Sequence, residues 1–261
     1  MSLSVIVITK NEEAVIRRCL ASVAWADEIV VVDSGSSDKT IQICREFTDK
    51  VVQADWRGFG PQKNLALGLA TREWVLSLDA DEYLPLGAES LIREATLCGP
   101  ETSGYRLSRV SSYCGRWIRH SGWAPDPVTR LFVRDRGRFS DDVVHERLTV
   151  QGRVAALELT LYHEAFVDLE EVLAKVDRYS TLGAQSMHER GRRATLRQAV
   201  AHGFWAFIRT YLLRGGIADG REGFMLAVSN AEGAYYRYAK LMLLSKPADI
   251  SDASRGHRHD L

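Results

Sequence analysis

The sequence contains no apolar run long enough for a helix that crosses a membrane. Such a helix needs roughly 18–20 consecutive apolar residues, and no stretch approaches that length. The apolar run at residues 3–8 is also too short for a signal peptide, and Lys10 follows it directly. These absences predict a cytoplasmic protein.

Cysteines are few and follow no metal-binding or redox spacing. Isolated cysteines without a C-x-x-C pair behave as small hydrophobic residues in a reducing compartment. We therefore predict that these residues are buried and reduced: Cys19, Cys44, Cys98 and Cys114.

The sequence also lacks net charge, since 34 Lys and Arg balance 34 Asp and Glu. The arginines are nevertheless concentrated in two stretches. Residues 106–138 hold eight arginines against Asp126 and Asp135, and residues 188–214 hold six against Glu189 alone. Such stretches are typical of surfaces that meet phosphates or an anionic membrane, although a solvated face is the simpler alternative.

The first hundred residues alternate between strand and helix patterns. The strands are continuously apolar rather than alternating, which indicates a parallel sheet covered on both faces. We therefore predict an α/β fold. Strands are predicted at residues 3–8, 28–32, 51–52 and 74–78, and helices at 12–23, after an N-cap at Asp38, at 61–70 and at 88–97.

The pattern changes after residue 100. Residues 101–165 predict a small, mostly antiparallel section in which short strands alternate with turns. Residues 166–244 predict a helical region, and residues 245–261 a polar, disordered tail. The short strands fall at 105–107, 129–133, 143–148 and 157–162, and the helices begin at Asp168 and cover 199–214 and 222–244.

Acidic residues end the strand pattern within residues 74–82. Asp79 and Asp81 stand two apart, and side chains two apart in an extended chain project to the same side. Two carboxylates at the carboxyl end of a strand suit Mg²⁺ or Mn²⁺, which binds a few carboxylates together with substrate phosphates. An acidic turn after a buried strand is the alternative.

Two further strands end in polar residues. Asp33 begins the loop D-S-G-S-S-D, in which Gly35 and the serines expose backbone N–H groups and Asp33 can accept from a base or ribose. An Asx turn with a capping aspartate is an equally good alternative for this loop taken alone. Thr9 and Glu12 follow the first strand. Because parallel strands end at one edge of a sheet, these three polar ends together predict a nucleotide-diphosphate and metal site.

The motifs in combination resemble family 2 glycosyltransferases of GT-A fold. The N-terminal resemblance rests on V-I-V-I-T-K-N-E-E, V-V-V-D-S-G-S-S-D-K-T, G-P-Q-K-N and L-S-L-D-A-D-E. The later pieces G-W-A-P-D-P-V-T-R-L-F, V-H-E and R-G-G-I-A-D-G resemble the bacterial subgroup that includes lipopolysaccharide inner-core β-glucosyltransferases. The resemblance covers nearly the whole chain.

This resemblance implies a Rossmann-like, mostly parallel sheet that binds a nucleotide sugar within residues 1–100. Residues 101–165 would form the acceptor side of the same catalytic domain. The implied reaction is the metal-dependent, inverting transfer of a hexose. The implied donor is a UDP-sugar, with UDP-glucose favoured, and the acceptor is a saccharide or glycolipid such as a heptose of the lipopolysaccharide core.

The resemblance also implies roles for residues at the nucleotide. Thr9, Glu12 and Asp33 would hold the uridine, with the loop of Gly35 beside it. Lys63 would lie near the base or the phosphates.

At the phosphates, Asp81 would coordinate the Mg²⁺ or Mn²⁺ ion that bridges the diphosphate. Asp79 would contact the ribose or a metal-bound water. Arg130 would add positive charge, with a structural ion pair as the alternative.

An inverting transfer needs a carboxylate that takes the proton of the acceptor hydroxyl. The V-H-E motif of the subgroup favours Glu146 as this base, with Asp142 as the alternative. His145 is a candidate metal or phosphate ligand. His163 is expected to be structural.

Aromatic residues flank this region. Tyr113, Trp117 and Trp123 stand beside glycines, and their rings suit the apolar C–H faces of a saccharide acceptor. A small core under a long loop is the alternative.

The helix predicted over residues 199–214 is about 24 Å long and contains Arg209, so it is too short and too charged to span a membrane. Its aromatic and arginine composition favours a helix in an anionic interface. Packing against the catalytic domain is the alternative. The expected position is peripheral, on the inner face of the cytoplasmic membrane, and nucleic acid is not an expected partner.

Other enzyme classes fit less well. A dinucleotide-binding oxidoreductase is disfavoured because Lys63 stands where the third glycine after Gly58 and Gly60 belongs. A haloacid-dehalogenase-type phosphatase also begins from D-x-D, but it usually has Thr or Val two residues beyond the second aspartate, where this chain has Tyr83. A nucleotidyltransferase of related architecture remains the closest alternative, although its Gly-rich, Arg-bearing loop is missing. A non-catalytic saccharide-binding protein would need neither a metal pair nor a base.

Overall fold

The computed structural model of this chain describes residues 2–98, 101–140 and 147–245. The chain divides into two compact units, Met1–Ser112 with Trp123–Ala165 and Tyr113–Gly122 with Phe166–Leu261. Residues 246–261, most of the predicted tail, lie outside the described residues. So do residues 141–146, which include Asp142, His145 and Glu146.

The first unit begins with the strand–helix alternation expected from the sequence. Its central strands are apolar at nearly every position and are buried along their length, as a sheet covered on both faces requires. The elements are β1 (Leu3–Thr9), α1 (Ile16–Ser22), β2 (Glu28–Asp33), α2 (Thr40–Cys44), β3 (Val51–Gln53), α3 (Phe59–Leu69), β4 (Trp74–Asp79), β5 (Glu82–Tyr83) and α4 (Ala88–Cys98).

The strands that follow extend this same sheet. Their order across it is β3-β2-β1-β4-β8-β6-β11-β5, where the four N-terminal strands pair in parallel and β8, β6 and β5 pair antiparallel. Strands β9 and β10 form a separate antiparallel pair. These later elements are β6 (Thr102–Tyr113), β7 (Arg116–Trp117), β8 (Asp126–Val133), β9 (Gly137–Phe139), β10 (Leu148–Val150) and β11 (Arg153–Phe166).

The strands after residue 101 are longer than the sequence suggested. Strand β6 has 12 residues and β11 has 14, and both lie in the same sheet as the parallel strands. The prediction of short pieces missed this because polar residues interrupt the apolar pattern within both strands. Hydrogen bonding to neighbouring strands carries the extended chain through those positions. The predicted fold class, a mostly parallel sheet with an antiparallel section and C-terminal helices, is confirmed.

Helices cover both faces of the parallel strands. On one face, α1 and α4 contribute Ile16, Leu20 and Ile92 to a core with Val5 and Leu76. On the other face, α3 packs on the alternate residues of the same strands, through Ala66 and Ala70. Strands β1, β2 and β4 are therefore buried almost to their carboxyl ends.

Glu28 at the start of β2 is a buried acid that ties the opposite edge of the sheet together. Its carboxylate accepts hydrogen bonds from the Ser4 hydroxyl, the Lys50 ammonium and both the N–H and hydroxyl of Thr71. Burial alone would raise the pKa of Glu28, but these hydrogen bonds outweigh it and lower the pKa from 4.5 to about 2.

We expect Glu28→Gln to lower the free energy of unfolding near neutral pH by about 3 kcal/mol, since one pKa unit corresponds to about 1.4 kcal/mol. The folded state holds a depressed pKa, so this stabilisation is complete above pH 4.5 and disappears as the pH falls to about 2. Urea unfolding at a series of pH values would measure a shallower acid slope in the variant.

The control for this variant is Glu46→Gln, which removes an exposed acid that pairs with the exposed Arg17. Exposed ion pairs contribute little, so its stability should track that of the unaltered protein. Equal pH profiles for the two variants would contradict the role assigned to Glu28.

The second unit is mainly helical, with short polar caps that begin its helices. Asp168 accepts from the Glu171 N–H, and Thr195 forms a capping box with Gln198. Helices α5 and α6 each pack along α7. The helices are α5 (Leu169–Glu189), α6 (Leu196–Ile208) and α7 (Gly220–Leu244), with a π-helical turn at Arg209–Leu213 and a 3₁₀ turn at Gly216–Asp219.

Asp219 anchors residues 119–121 within this unit. Its buried carboxylate accepts from the backbone N–H groups of Arg119 and His120 and from the Ser121 hydroxyl. Burial alone would raise the pKa of Asp219, and these donors lower it below its usual range. Asp219 of the R-G-G-I-A-D-G motif thus has a structural role in the second unit.

Within the part of the chain that the structure describes, no helix combines the length and the apolar character needed to cross a membrane.

Candidate active site

Three strand ends meet at one edge of the parallel sheet, as the sequence predicted. Thr9 of β1 pairs with Asp33 of β2, and Ile8 pairs with Asp79 of β4. The polar ends of β1, β2 and β4 are therefore neighbours across the sheet. This is the edge at which open α/β sheets bind their ligands.

The loop after β2 is folded around Asp33. The carboxylate Oδ1 accepts from the N–H groups of Gly35 and Ser36, each at 2.9 Å, while Oδ2 accepts from the Ser36 hydroxyl. Gly35 has a φ of +86°, a conformation that glycine adopts without strain. This is the Asx-turn arrangement, and it holds a tight loop at the sheet edge.

The loops after β1 and β2 are also hydrogen-bonded to each other. The Ser37 N–H donates to the Asn11 side chain at 2.8 Å, and the Glu12 N–H donates to the Thr40 hydroxyl at 2.8 Å. The buried Thr9 hydroxyl has no hydrogen-bond partner among the described residues. The two loops thus form one hydrogen-bonded platform at the sheet edge, and the Thr9 hydroxyl lies at the same edge.

Asp79 is held by two buried cations. Its Oδ1 lies 2.7 Å from the Lys63 ammonium, and its Oδ2 lies 2.6 Å from the Arg130 guanidinium. Burial would raise the pKa of Asp79, but Arg130 and Lys63 lower it well below the usual range. Asp79 is thus a fixed negative charge whose two oxygens both face cations.

Glu82 continues this network, and sequence reasoning had assigned it no role. Its carboxylate is fully buried and accepts from Arg130 at 2.5 Å, from Arg109 at 3.2 Å and from the Asp79 N–H at 3.1 Å. Arg109 also bonds Asp126 at 2.8 Å. Burial raises the pKa of Glu82. Three acids and three cations thus form one neutral, largely buried chain.

Arg130 is the centre of that chain. Burial would lower its pKa, but Asp79 and Glu82 raise it above the ordinary value, so the guanidinium is charged. Its Nε–H is buried and has no hydrogen-bond partner among the described residues.

Asp81 points to a different partner from Asp79. Strand β4 ends at Asp79 and the chain turns at residues 80–81 before β5. The two-residue period of an extended strand therefore does not reach Asp81. Its Oδ2 lies 3.2 Å from His163 Nε2, whereas its Oδ1 is buried without a hydrogen-bond partner among the described residues.

His163 was expected to be structural, and the structure places it against the D-x-D motif. Its Nδ1 is 2.8 Å from the Ser111 hydroxyl, and its Nε2 faces Asp81. The pairing His163↔Glu82 between β11 and β5 sets this contact. No local sequence signal could identify it, because 82 positions separate His163 from Asp81.

The donor set around Asp81 fits a divalent cation of the Mg²⁺ or Mn²⁺ type. Such ions bind through one or two carboxylates and take their remaining ligands from substrate phosphates and water. The unpartnered Oδ1 of Asp81 is a suitable carboxylate oxygen. Among residues 2–98, 101–140 and 147–245, no group of three or more His, Cys, Asp or Glu has metal-binding geometry, so the protein would supply few ligands.

The three aromatic residues predicted to contact a saccharide acceptor differ in their burial. Tyr113 is fully buried in the second unit and shares a hydrogen bond of 2.9 Å with Ser229. It cannot stack on a sugar, so its assignment to an acceptor site is wrong. The alternative, a small core under a long loop, therefore applies to Tyr113. Trp117 and Trp123 are half-buried.

Comparison with known proteins gives a consistent match. The family model "Glycosyl transferase family 2" matches residues 4–147. The lipopolysaccharide core biosynthesis glycosyltransferase LpsC of Rhizobium meliloti (strain 1021) is 31% identical over 92% of this chain and 92% of its own. An uncharacterized glycosyltransferase of Rickettsia bellii (strain RML369-C) is 29% identical over 93% of this chain and 87% of its own.

The fold also matches a solved structure. The mannosyltransferase PcManGT of Pyrobaculum calidifontis, solved in complex with GDP-Man and Mn²⁺, superposes with a TM-score of 0.52. The match covers 94% of this chain and 88% of that chain at 18% identity.

Proposed function

Since the chain belongs to glycosyl transferase family 2, we propose that it transfers glucose from UDP-glucose to a saccharide acceptor such as a heptose of the lipopolysaccharide core. The transfer would require Mg²⁺ or Mn²⁺ and would invert the anomeric carbon to give a β-linkage. That the chain is a glycosyltransferase of GT-A fold follows from the matches. The role of the Rhizobium meliloti relative in lipopolysaccharide core biosynthesis supports the acceptor class.

One observation carries the metal-dependent part of the proposal, and it is the buried, unpartnered Oδ1 of Asp81. A buried carboxylate oxygen without a hydrogen bond is costly unless a cation binds there. His163 holds the other oxygen and so orients the carboxylate. Asp81, oriented by His163, would therefore hold the ion together with diphosphate oxygens. When bound, a divalent ion stabilises the negative charge on a departing diphosphate.

The nucleotide would lie on the platform formed by the two loops after β1 and β2. Thr9 has a buried hydroxyl that can bond a ligand, and Glu12 and Asp33 lie at the same edge. The N–H-rich turn around Gly35 would face the uridine. Asp79 would act through the cations that it holds, or through a water.

Lys63 and Arg130 would provide positive charge behind the diphosphate. Both are largely buried and held by Asp79, so they are preorganised and cost little reorganisation when charge develops. The Nε–H of Arg130 is the donor in this cluster with no partner among the described residues.

Successive parts of the chain would bind the two substrates. Residues 1–100 would bind the donor and residues 101–165 would face the acceptor, with Glu146, or else Asp142, as the general base. His145 would be a further ligand of the metal or a phosphate. If the acceptor is a glycolipid, the enzyme would meet it as a peripheral protein at the inner face of the cytoplasmic membrane.

The proposal is tested by a screen of nucleotide sugars for hydrolysis with added Mg²⁺ or Mn²⁺. UDP-glucose, UDP-galactose, UDP-N-acetylglucosamine and GDP-mannose are the donors to compare. We expect UDP release from UDP-glucose to be the fastest and to stop when EDTA removes the metal. Release of nucleotide from no donor would overturn the proposal.

Acceptor transfer then separates the two candidate bases. With a core-heptose acceptor, Glu146→Gln should stop transfer while Asp142→Asn retains it. The opposite result would move the base to Asp142. The anomeric coupling constant of the product, measured by NMR, reports inversion.

A further inference from the structure

Helix α6 in the second unit has an inner face that its packing fully defines. Small buried residues, Ala199, Gly203 and Ala206, form a stripe along it, and the helix packs along α7. A Cβ on Gly203 would lie 3.1 Å from the Cβ of Tyr235, so the two helices are in close contact. The positions opposite this stripe therefore point away from α7.

Large apolar side chains occupy those opposite positions. Phe204 is 68% exposed and Trp205 is 53% exposed. The exposed series continues through the π-helical turn and the 3₁₀ turn, where Leu213 is 66% exposed. We refer to this series as the α6 face: Phe204, Trp205, Leu212, Leu213 and Ile217.

The stretch that carries the α6 face, residues 190–218, contains exposed arginines and no acid. Arg197, Arg209 and Arg214 are exposed, and no Asp or Glu occurs between residues 190 and 218. The next two acids along the chain are buried and already engaged. Asp219 binds residues 119–121, and Glu222 bonds Arg221. The surface is therefore both apolar and cationic.

We propose that the α6 face docks the enzyme on an anionic lipid bilayer, with α6 lying in the plane of the surface. The 13 residues of α6 cover only about 20 Å, too short for a hydrocarbon core of roughly 30 Å. A helix in the interface instead inserts its aromatic and leucine side chains among the acyl chains. The arginines then reach the lipid phosphates.

Charge complementarity selects a bilayer over a second copy of this chain. A two-fold dimer through the α6 face would place Arg197 and Arg209 of one copy near the same residues of the other. Such like charges repel, since no exposed acid lies between residues 190 and 218 to pair with them. A bilayer that contains phosphatidylglycerol offers both an apolar interior and a negative surface.

This inference rests on the proposed function in one respect, which is that docking would serve to bring the enzyme to a lipid-linked acceptor. The contacts that carry it belong to the second unit, whereas the donor site belongs to the first. Docking and donor hydrolysis can therefore be measured separately.

The test is flotation of the full-length protein with vesicles of phosphatidylcholine, alone or mixed with phosphatidylglycerol. We expect binding only to the anionic vesicles, and weaker binding at high salt. Phe204→Ser/Trp205→Ser and Arg197→Gln/Arg209→Gln should each lower the partition coefficient roughly tenfold or more. The arginine pair should also reduce the salt dependence.

Matched controls come from exposed residues of the first unit. Leu86→Ser and Arg45→Gln/Arg72→Gln remove exposed apolar area and two charges elsewhere, and their partition should be unchanged. Far-ultraviolet circular dichroism and thermal unfolding would verify the fold of each variant, and UDP-glucose hydrolysis should persist in all of them.

Three results would overturn docking. The first is that the unaltered protein does not float with anionic vesicles at low salt. The second is that the variants and the controls lose vesicle binding equally. The third is that the protein forms a dimer in solution that Phe204→Ser/Trp205→Ser dissociates. If hydrolysis is absent while flotation follows the expected pattern, the proposed function fails and docking stands.

Discussion

Asp81→Asn is expected to lower metal-dependent donor hydrolysis and transfer by about three orders of magnitude. The change removes the charge from the carboxylate whose Oδ1 is buried and unpartnered among the described residues. Loss of a metal-derived charge at the departing diphosphate costs several kcal/mol of transition-state stabilisation, and about 1.4 kcal/mol corresponds to tenfold in rate. Initial rates of UDP release across a Mn²⁺ titration would measure the effect.

The fold should survive this substitution. The side chain of Asp81 is 33% exposed, and asparagine retains an oxygen that can accept from His163. Asp135→Asn is the control, because Asp135 is 77% exposed and pairs only with its neighbour Arg134 among the described residues. His163→Gln should retain more activity than Asp81→Asn but require more Mn²⁺, because an orienting partner tunes affinity without supplying the charge. Unchanged activity of Asp81→Asn would contradict the metal role of Asp81.

Arg130→Met is expected to lower the free energy of unfolding by about 3 kcal/mol at pH 7 and to stop transfer. Arg130 bridges Asp79 at 2.6 Å and Glu82 at 2.5 Å. Its removal leaves two acids short of a cation, and breaking a buried pair costs about 3–5 kcal/mol. We expect the low end of this energy range because the Asp79 side chain is 32% exposed, so water can partly solvate its charge. Urea unfolding followed by circular dichroism would give the value.

The stability loss should depend on pH in a defined direction. Burial already raises the pKa of Glu82, and loss of Arg130 raises it further, so the folded variant binds more protons than the unfolded chain. Asp79 retains Lys63 as a partner. Stability then falls as the pH rises above the unfolded pKa near 4. The deficit of Arg130→Met should therefore be smaller at pH 5 than at pH 7.

A matched control and a compensating change make the Arg130 prediction specific. Arg134→Met removes a nearby arginine whose ion pair with Asp135 is exposed, so its effect should stay below about 1 kcal/mol. Adding Glu82→Gln to Arg130→Met should recover part of the lost stability, because it removes one of the unpaired carboxylates. Equal stability of Arg130→Met and Arg134→Met would contradict the role of the buried network.

The parallel half of the fold could be predicted because its information is local. Strands β1, β2 and β4 are continuously apolar; β1 and β2 each lead into a polar loop and a helix, and β4 leads into an acidic turn. Parallel pairing then forces their carboxyl ends to one edge, which is where Thr9, Asp33 and Asp79 lie. The sheet edge that carries the candidate site could therefore be predicted from these local patterns.

The partners within the site could not be predicted in this way. Asp79 and Asp81 are two residues apart, yet one faces Lys63 and Arg130 and the other faces His163. The turn at residues 80–81 separates them, and a turn of this kind is set by the pairing of β5 with β11. The aromatic Tyr113 shows the same limit, because burial in the second unit overrides its suitability for a sugar.

The sequence by itself determined the fold class, the sheet edge of the site and the family, because hydrophobic period and short motifs act over a few residues. Only the tertiary structure decided that Glu82 and Arg109 join Asp79 and Arg130 in one network of charges, and that His163 faces Asp81. It likewise decided that Phe204 and Trp205 face outward. The physical reason is that antiparallel strands and packed helices bring together residues whose separation along the chain carries no periodic signal.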